Sequence, residues 1–296
     1  MTEMAPADDI AAAVAAFGER PRRIVPLHPT AAPTRPRASF RVEVEAGHSI
    51  KARRMESEAA AARQEDLRAG LPAAFAPVLA RVGAVLIEGW IEGRPLDTVA
   101  ASLPLIRQAG QVLAALHALP GAAGKPLPFR AEVTGLKDET LSGLAALAEA
   151  GALDEATAGA LAAIVAAAAP GDSRHALIHT DFCAENLVVD AAGRLFVVDN
   201  EHFRFGPPGM DLARTWYRSG WHDPSRPPEE WVAFRRSYEA AGGDPEAFVD
   251  EPFWRIAAAT VSARLRLRTG DWDAAVPIAC LVGLARTTPS REERRA

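Results

Sequence analysis

The stretch Ala176 to Asn200, ALIHTDFCAENLVVDAAGRLFVVDN, decides how the rest of the chain is read. Two apolar runs, Leu187-Val188-Val189 and Leu195-Phe196-Val197-Val198, flank Asp190-Ala191-Ala192-Gly193, whose residues favour a turn, and together they predict an antiparallel hairpin. A strand starting after Asn186 and a partner ending before Asp199 bring those two residues to the open end of the hairpin. Asp181, on the loop that enters the first strand, is expected at the same end. Three oxygen-bearing side chains then converge. Such a trio suits Mg2+, a hard ion that takes a few protein oxygens plus substrate phosphates, better than it suits zinc.

Upstream, Ser39 to Glu45 alternates polar and apolar, Ala46-Gly47-His48 can turn, and Ser49 to Met55 can return as a second strand carrying Lys51. A helix follows over about 57 to 68, with Glu58 and Glu65 nearly on one face. Val82 to Ile91 reads as a strand pair or a single buried strand ending near Gly93. Before these lie a short helix over 8 to 18 and an irregular, Pro-rich segment, RPRRIVPLHPTAAPTRPRA (residues 20–38). From about residue 95 the period becomes helical, first in LIRQAGQVLAALHAL (105–119), then in two Ala-rich helices between Asp138 and Ala169 and in PPEEWVAFRRSYEAAGG (227–243). The expected organisation is α+β and bilobal: an N-terminal helix over 1–20, a small β-rich lobe over 21–93 and a larger helical lobe over 94–296, with the hairpin embedded in it.

The 296 residues carry a formal charge of −5 with neither sign in a long block, which argues against a duplex nucleic acid or an anionic membrane as partner. The two cysteines, Cys183 and Cys280, fit a reducing compartment, and the acidic start without a long apolar run predicts a cytoplasmic protein. Cys183 lacks the His and Asn pattern of a cysteine nucleophile, and the histidines show no zinc spacing. His117 reads as a helix-end residue near the dipole. Thirty of the 33 basic residues are arginine, so each of the three lysines stands out, since arginine does not substitute for a compact ammonium.

HTDFCAEN resembles the H-x-D-x-x-x-x-N catalytic loop of the aminoglycoside phosphotransferase and choline kinase-like family, which has the protein-kinase-like fold. VVDNEHFRFGPPGMDLA is similar to that family's metal-binding segment. The resemblance runs over roughly residues 39–217. It implies Mg2+ and ATP bound between two lobes, and transfer of the γ-phosphoryl group to a hydroxyl of a small molecule. Asp181 would take the hydroxyl proton, Asn186 and Asp199 would hold Mg2+, Asp211 would brace the catalytic loop and His179 would shape it. Lys51, paired with Glu58 or alternatively Glu65, would hold the α- and β-phosphates. Backbone groups around Glu88, Trp90 and Ile91, in LIEGWIEG (86–93), would bind adenine. The spacing Asp199, Glu201, Gly206, Pro207, Gly209, Asp211 is also similar to methylthioribose kinases, in which the Glu approaches the metal, so Glu201 joins the metal candidates.

One feature departs from the family: Thr30 to Ala38, where a phosphate-covering loop belongs, contains no glycine. It keeps open a nucleotide-binding pseudokinase beside the kinase reading, and transfer of AMP is a third use of the same fold. Acceptor candidates are an aminoglycoside, met by Asp223, Glu229, Glu230, Asp244, Glu246, Asp250 and Glu251; an amino alcohol such as choline, caged by the tryptophans of the C-terminal part; or a sugar. The chain is expected as a monomer or homodimer.

Overall fold

The computed structural model describes residues 7–27, 38–99, 102–120, 129–172, 174–269 and 275–287. In chain order the first elements are α1 (Asp8–Ala16), β1 (Pro21–Pro26), β2 (Ala38–Val44), β3 (Ser49–Arg54), α2 (Glu58–Arg68), β4 (Val78–Val82), β5 (Val85–Gly89) and a two-residue β6 (Arg94–Pro95). There follow α3 (Leu103–His117), α4 (Phe129–Glu149), α5 (Glu155–Ala167), β7 (Ala176–Ile178), β8 (Leu187–Val189), β9 (Leu195–Val197) and β10 (Arg204–Gly206). The C-terminal part adds α6 (Pro208–Arg218), α7 (Pro228–Ala240), α8 (Glu251–Thr269) and α9 (Ala275–Thr287). No helix among the described residues is long and apolar enough to cross a membrane.

Two compact units result. The first comprises residues 1–94 together with 188–203, so the hairpin placed by sequence in the helical lobe clusters with the β-rich part instead. The reason is local pairing: Val197 donates to the Ala74 carbonyl, Ala76 donates to that of Val197, and Phe75 packs on Phe203 with ring centroids 5.8 Å apart. The five-stranded sheet has the order β1-β2-β3-β5-β4, antiparallel throughout its registered pairs. β1 falls in the segment expected to be irregular; its prolines, Pro21 and Pro26, are tolerated because it is an edge strand.

Strand alternation sorts the buried residues of this sheet. Ile50, Ala52, Val85 and Ile87 join Phe40, Val42 and Val44 in a core that α1 closes with Ile10, Ala13 and Val14. Their neighbours point the other way: Leu86 packs with Met55 and with Ala61 of α2, and Lys51, Arg53 and Glu88 share that face by register, Lys51 opposite Glu88 and Arg53 opposite Leu86. α2 starts on Ser57, whose hydroxyl accepts from the Ala60 N–H as an N-cap.

The second unit, residues 95–187 and 204–296, is helical. Leu144 and Leu147 of α4, Leu161 and Val165 of α5, Ala213 and Trp216 of α6, Phe253 and Ala257 of α8 and Leu281 of α9 form its main core. α3 lies on α7 so closely that a Cβ on Gly110 would stand 2.4 Å from the Phe234 carbonyl. A short antiparallel pair, β7 with β10, lies in this unit; β10 was not foreseen from sequence.

Candidate active site

The segment between β7 and β8 is built around Asp211, which α6 buries completely in its first turn. Its two oxygens accept the N–H groups of His179 and Thr180, each at 2.8 Å, and Oδ2 also meets His117 Nε2 at 3.2 Å. His117 is fixed from behind by the Tyr238 hydroxyl, 2.9 Å from Nδ1. Burial works against the Asp211 charge, but the bond and charge of His117, with His179, outweigh it and hold the carboxyl below the usual range. This clamp sets Thr180 at φ 68°, a left-handed conformation unusual for a β-branched residue, and so turns the chain sharply into Asp181.

Asp181 is then placed by two groups. Asn186 Nδ2 donates to the Asp181 carbonyl at 2.9 Å and to its Oδ2 at 3.2 Å. The Arg218 guanidinium stands 3.5 Å from Oδ1, and it binds Glu185 at 2.6 Å. Oδ1 itself is buried and accepts no hydrogen bond among the described residues. Cys183 is buried, and burial, with the Asp181 charge adding, pushes its thiol up to about 11, which removes it as a nucleophile. Neither His117, expected only at a helix end, nor Arg218 carries a sequence signal: both act through partners distant in the chain.

In the first unit, Lys51 Nζ lies 3.3 Å from Asp199 Oδ1, and Arg53 Nη2 reaches the same oxygen at 3.0 Å. Arg53 Nε also pairs with Glu88 at 3.2 Å, and Arg68 of α2 meets Glu88 at 2.7 Å. Burial disfavours both carboxylates, yet the cations win: Lys51 and Arg53 hold Asp199 below the carboxylate range, and Arg53, Arg68 and Lys51 bring Glu88 to about 2. Burial, with Arg53 adding, lowers the Lys51 pKa. Asp199 sits at φ 61° as the chain leaves β9.

The expected pairing of Lys51 with a helix glutamate is corrected. Glu58 is exposed, beside the Gly83 turn, and Glu65 pairs with Arg81 at 2.7 Å; the side of α2 that faces the sheet presents Ala61 and Arg68. Seven residues apart, Glu58 and Glu65 do share a side, but it is the wrong one. The Glu88 side chain belongs to the ion cluster, and its backbone lies in β5, flanked by β3 and β4. Trp90 and Ile91 follow that strand, with the Arg41 guanidinium 4.7 Å from the Trp90 ring centroid. The Glu201 side chain and the segment 28–37 lie outside the described residues.

Among the described residues no three His, Cys, Asp or Glu side chains gather as a metal cluster. Each candidate donor, taken within its own unit, has the chemistry of a hard-ion ligand: in the first unit Asp199 is held ionised, and in the second Asn186, having turned its NH2 to Asp181, has its amide oxygen left to accept a cation. A cavity of about 580 Å³ in the second unit is lined by Trp216, His222, Asp223, Arg255, Cys280 and Leu284, among others.

The fold has solved counterparts. Macrolide 2'-phosphotransferase MphH from Brachybacterium faecium superposes with a TM-score of 0.65 at 20% identity, covering 95% of this chain and 98% of that one. Spectinomycin phosphotransferase APH(9)-Ia, in complex with ADP and spectinomycin, gives 0.64 at 12%, over 97% and 99%. Ethanolamine kinase from Plasmodium vivax gives 0.59 at 12%, over 92% and 84%. At these identities the likeness shows the fold. No curated protein matches in sequence. Residues 83–252, more than half of the chain and including the whole Asp181 loop, match the phosphotransferase enzyme family, APH. The chain therefore belongs to that family and is an ATP-dependent phosphotransferase of small molecules, with the protein-kinase-like fold.

Proposed function

We propose that the protein transfers the γ-phosphoryl group of Mg·ATP to a hydroxyl of a small acceptor that is neutral or carries few positive charges. The observation that supports this best is the Asp181 carboxylate: Asn186 holds one oxygen, and the other is buried and accepts no hydrogen bond among the described residues, so that it can take a hydroxyl proton. Asp211 and His179 position the loop that carries it. Lys51 would hold the nucleotide phosphates, and the backbone near Glu88, Trp90 and Ile91 the adenine. Mg2+, with Asn186 and Asp199 as its protein ligands and Glu201 as a further candidate, would neutralise charge on the transferring phosphate.

The acceptor class follows from what the acidic and aromatic groups already do. Of the carboxylates considered for a polycation, Glu230 binds Trp221 Nε1 and lies 3.8 Å from Arg226. Glu251 binds Arg255 and Trp231, Asp250 accepts from the Ala169 N–H, and Asp223 and Asp244 close local turns. Among the described tryptophans of the C-terminal part, Arg255 covers the Trp216 ring at 4.2 Å, Trp231 stacks on Phe234 and Trp254 donates to the Val249 carbonyl. The carboxylates and rings just named form neither an open anionic basin nor an empty aromatic cage. The solved counterparts act on a macrolide, on spectinomycin and on ethanolamine by their names, so the fold accommodates acceptors of this range.

The test is an ADP-release assay with Mg2+ over macrolides, sugars, amino alcohols, nucleosides and aminoglycosides, run beside Asp181→Asn. Turnover is expected on a neutral or singly charged acceptor, with kcat falling about a hundredfold or more in the variant and ATP binding retained. Wild-type turnover in Asp181→Asn would exclude Asp181 as the base.

A further inference from the structure

Two arginines in the nucleotide half have no place in the functions assigned above. Arg53 lies two residues after Lys51 on β3 and on the same face, with 1% of its side chain exposed. It is the only described side chain that bonds both Glu88 and Asp199: Nε takes one carboxylate and Nη2 the other. Glu88 is in turn gripped by Arg68, whose Nη2 donates to the Ala76 carbonyl at 2.8 Å, so the cluster is anchored to the backbone before β4. A carboxylate from the sheet and a cation from the helix thus stand where the sequence led us to expect a carboxylate from the helix.

We propose that Arg53 is a positioning residue for nucleotide binding: bridged to Glu88 and Arg68, it fixes Asp199 and the neighbouring Lys51 ammonium in the geometry that Mg·ATP requires, and Glu58 and Glu65 have no part in it. This rests on the reading of Lys51 and Asp199 as nucleotide-site residues. The fork of a guanidinium is what permits the bridge, because two different N–H groups point to two acceptors at once. A lysine keeps the charge, but its three N–H donors radiate from one nitrogen on a flexible stem and do not reproduce the planar fork that meets Glu88 and Asp199 from two separate nitrogens. Glu88 is required because two guanidiniums buried side by side need a shared counter-charge.

Calorimetric titration of Mg·ATP into the wild-type chain, Arg53→Lys, Glu88→Gln, Glu58→Gln and Glu65→Gln, each with its Tm recorded, tests this without any acceptor. Arg53→Lys is expected to fold and to raise the Mg·ATP Kd about tenfold or more. The helix variants are expected to stay within about twofold of wild type. Wild-type affinity in Arg53→Lys, or an equal loss in Glu58→Gln or Glu65→Gln, would overturn the positioning role. A Tm drop with unchanged Kd would do the same, since that is what a purely structural cluster gives. If Glu88→Gln does not fold, Arg53→Lys alone decides. Failure of the wild-type chain to bind Mg·ATP would instead overturn the reading of the site itself, and this role with it.

Discussion

The Arg218 guanidinium stands 3.5 Å from the Asp181 carboxylate and binds Glu185 of the same loop at 2.6 Å. The residue proposed as general base is thus paired with a cation from the last turn of α6. Burial opposes the Arg218 charge, but Asp181 and the other neighbours outweigh it, so the arginine is charged at any pH at which the enzyme works. An acceptor arriving with several ammonium groups therefore meets a positive charge beside Asp181.

Arg218→Gln removes that charge while keeping a hydrogen-bonding side chain. Relative kcat/KM for a polycationic aminoglycoside over a neutral acceptor is expected to rise about tenfold, the scale of one like-charge contact at a half-exposed site. The effect should shrink in high salt. An unchanged ratio, measured by competition of the two acceptors, would remove Arg218 from acceptor selection.

Asp211→Asn tests the clamp on the catalytic loop. An amide can accept at one position only, so one of the His179 and Thr180 N–H groups, or the His117 ring, is left facing an NH2 group. The expected result is a loss of about 1–3 kcal/mol in unfolding free energy, read by denaturant titration. kcat should fall with it, and the KM for ATP should move less than kcat, because Asn186 shares the clamped loop whereas Lys51 and Asp199 belong to the other unit.

The acid limb of stability reports on the buried cluster. Glu88 is lowered in the fold from an ordinary 4.5 to about 2, so its contribution is complete above about pH 4.5 and is lost as the pH falls toward 2. Tm measured from pH 6 downward should decline over that window. In Glu88→Gln the starting Tm should be lower, because Arg53 and Arg68 lose their shared counter-charge, and the decline should be shallower. Parallel curves for the two proteins would show that Glu88 is not the ionised partner.

Gly93 offers a purely steric check. A Cβ there would lie 2.4 Å from the Val189 carbonyl oxygen and 2.6 Å from Val188 Cγ1. The glycine is therefore needed for close approach to β8 rather than for a turn. Gly93→Ala should cost about 1–3 kcal/mol in thermal or denaturant unfolding, and a neutral result would mean that this contact is not tight in solution.

The hairpin of β8 and β9, the order of the elements and the segment from His179 to Asn186 were legible because each depends on neighbours in the chain: alternation, turn residues and motif spacing. β1 was missed because its prolines read as breakers, and only an edge position makes them harmless. β10 was missed because three residues give too short a pattern to see.

What the sequence determined by itself was the local chemistry: a phosphotransferase loop, a strand lysine and an acidic residue after a hairpin. Tertiary structure decided the partners. Which side of α2 turns inward depends on how Ala61 packs against Met55 and Leu86, and that packing presents Arg68 and sends Glu58 and Glu65 outward. Likewise His117 and Arg218 meet Asp211 and Asp181 only because helices α3 and α6 bring them there. Ion pairs between distant residues are fixed by the burial of apolar faces, and a spacing rule read along one segment does not contain that information.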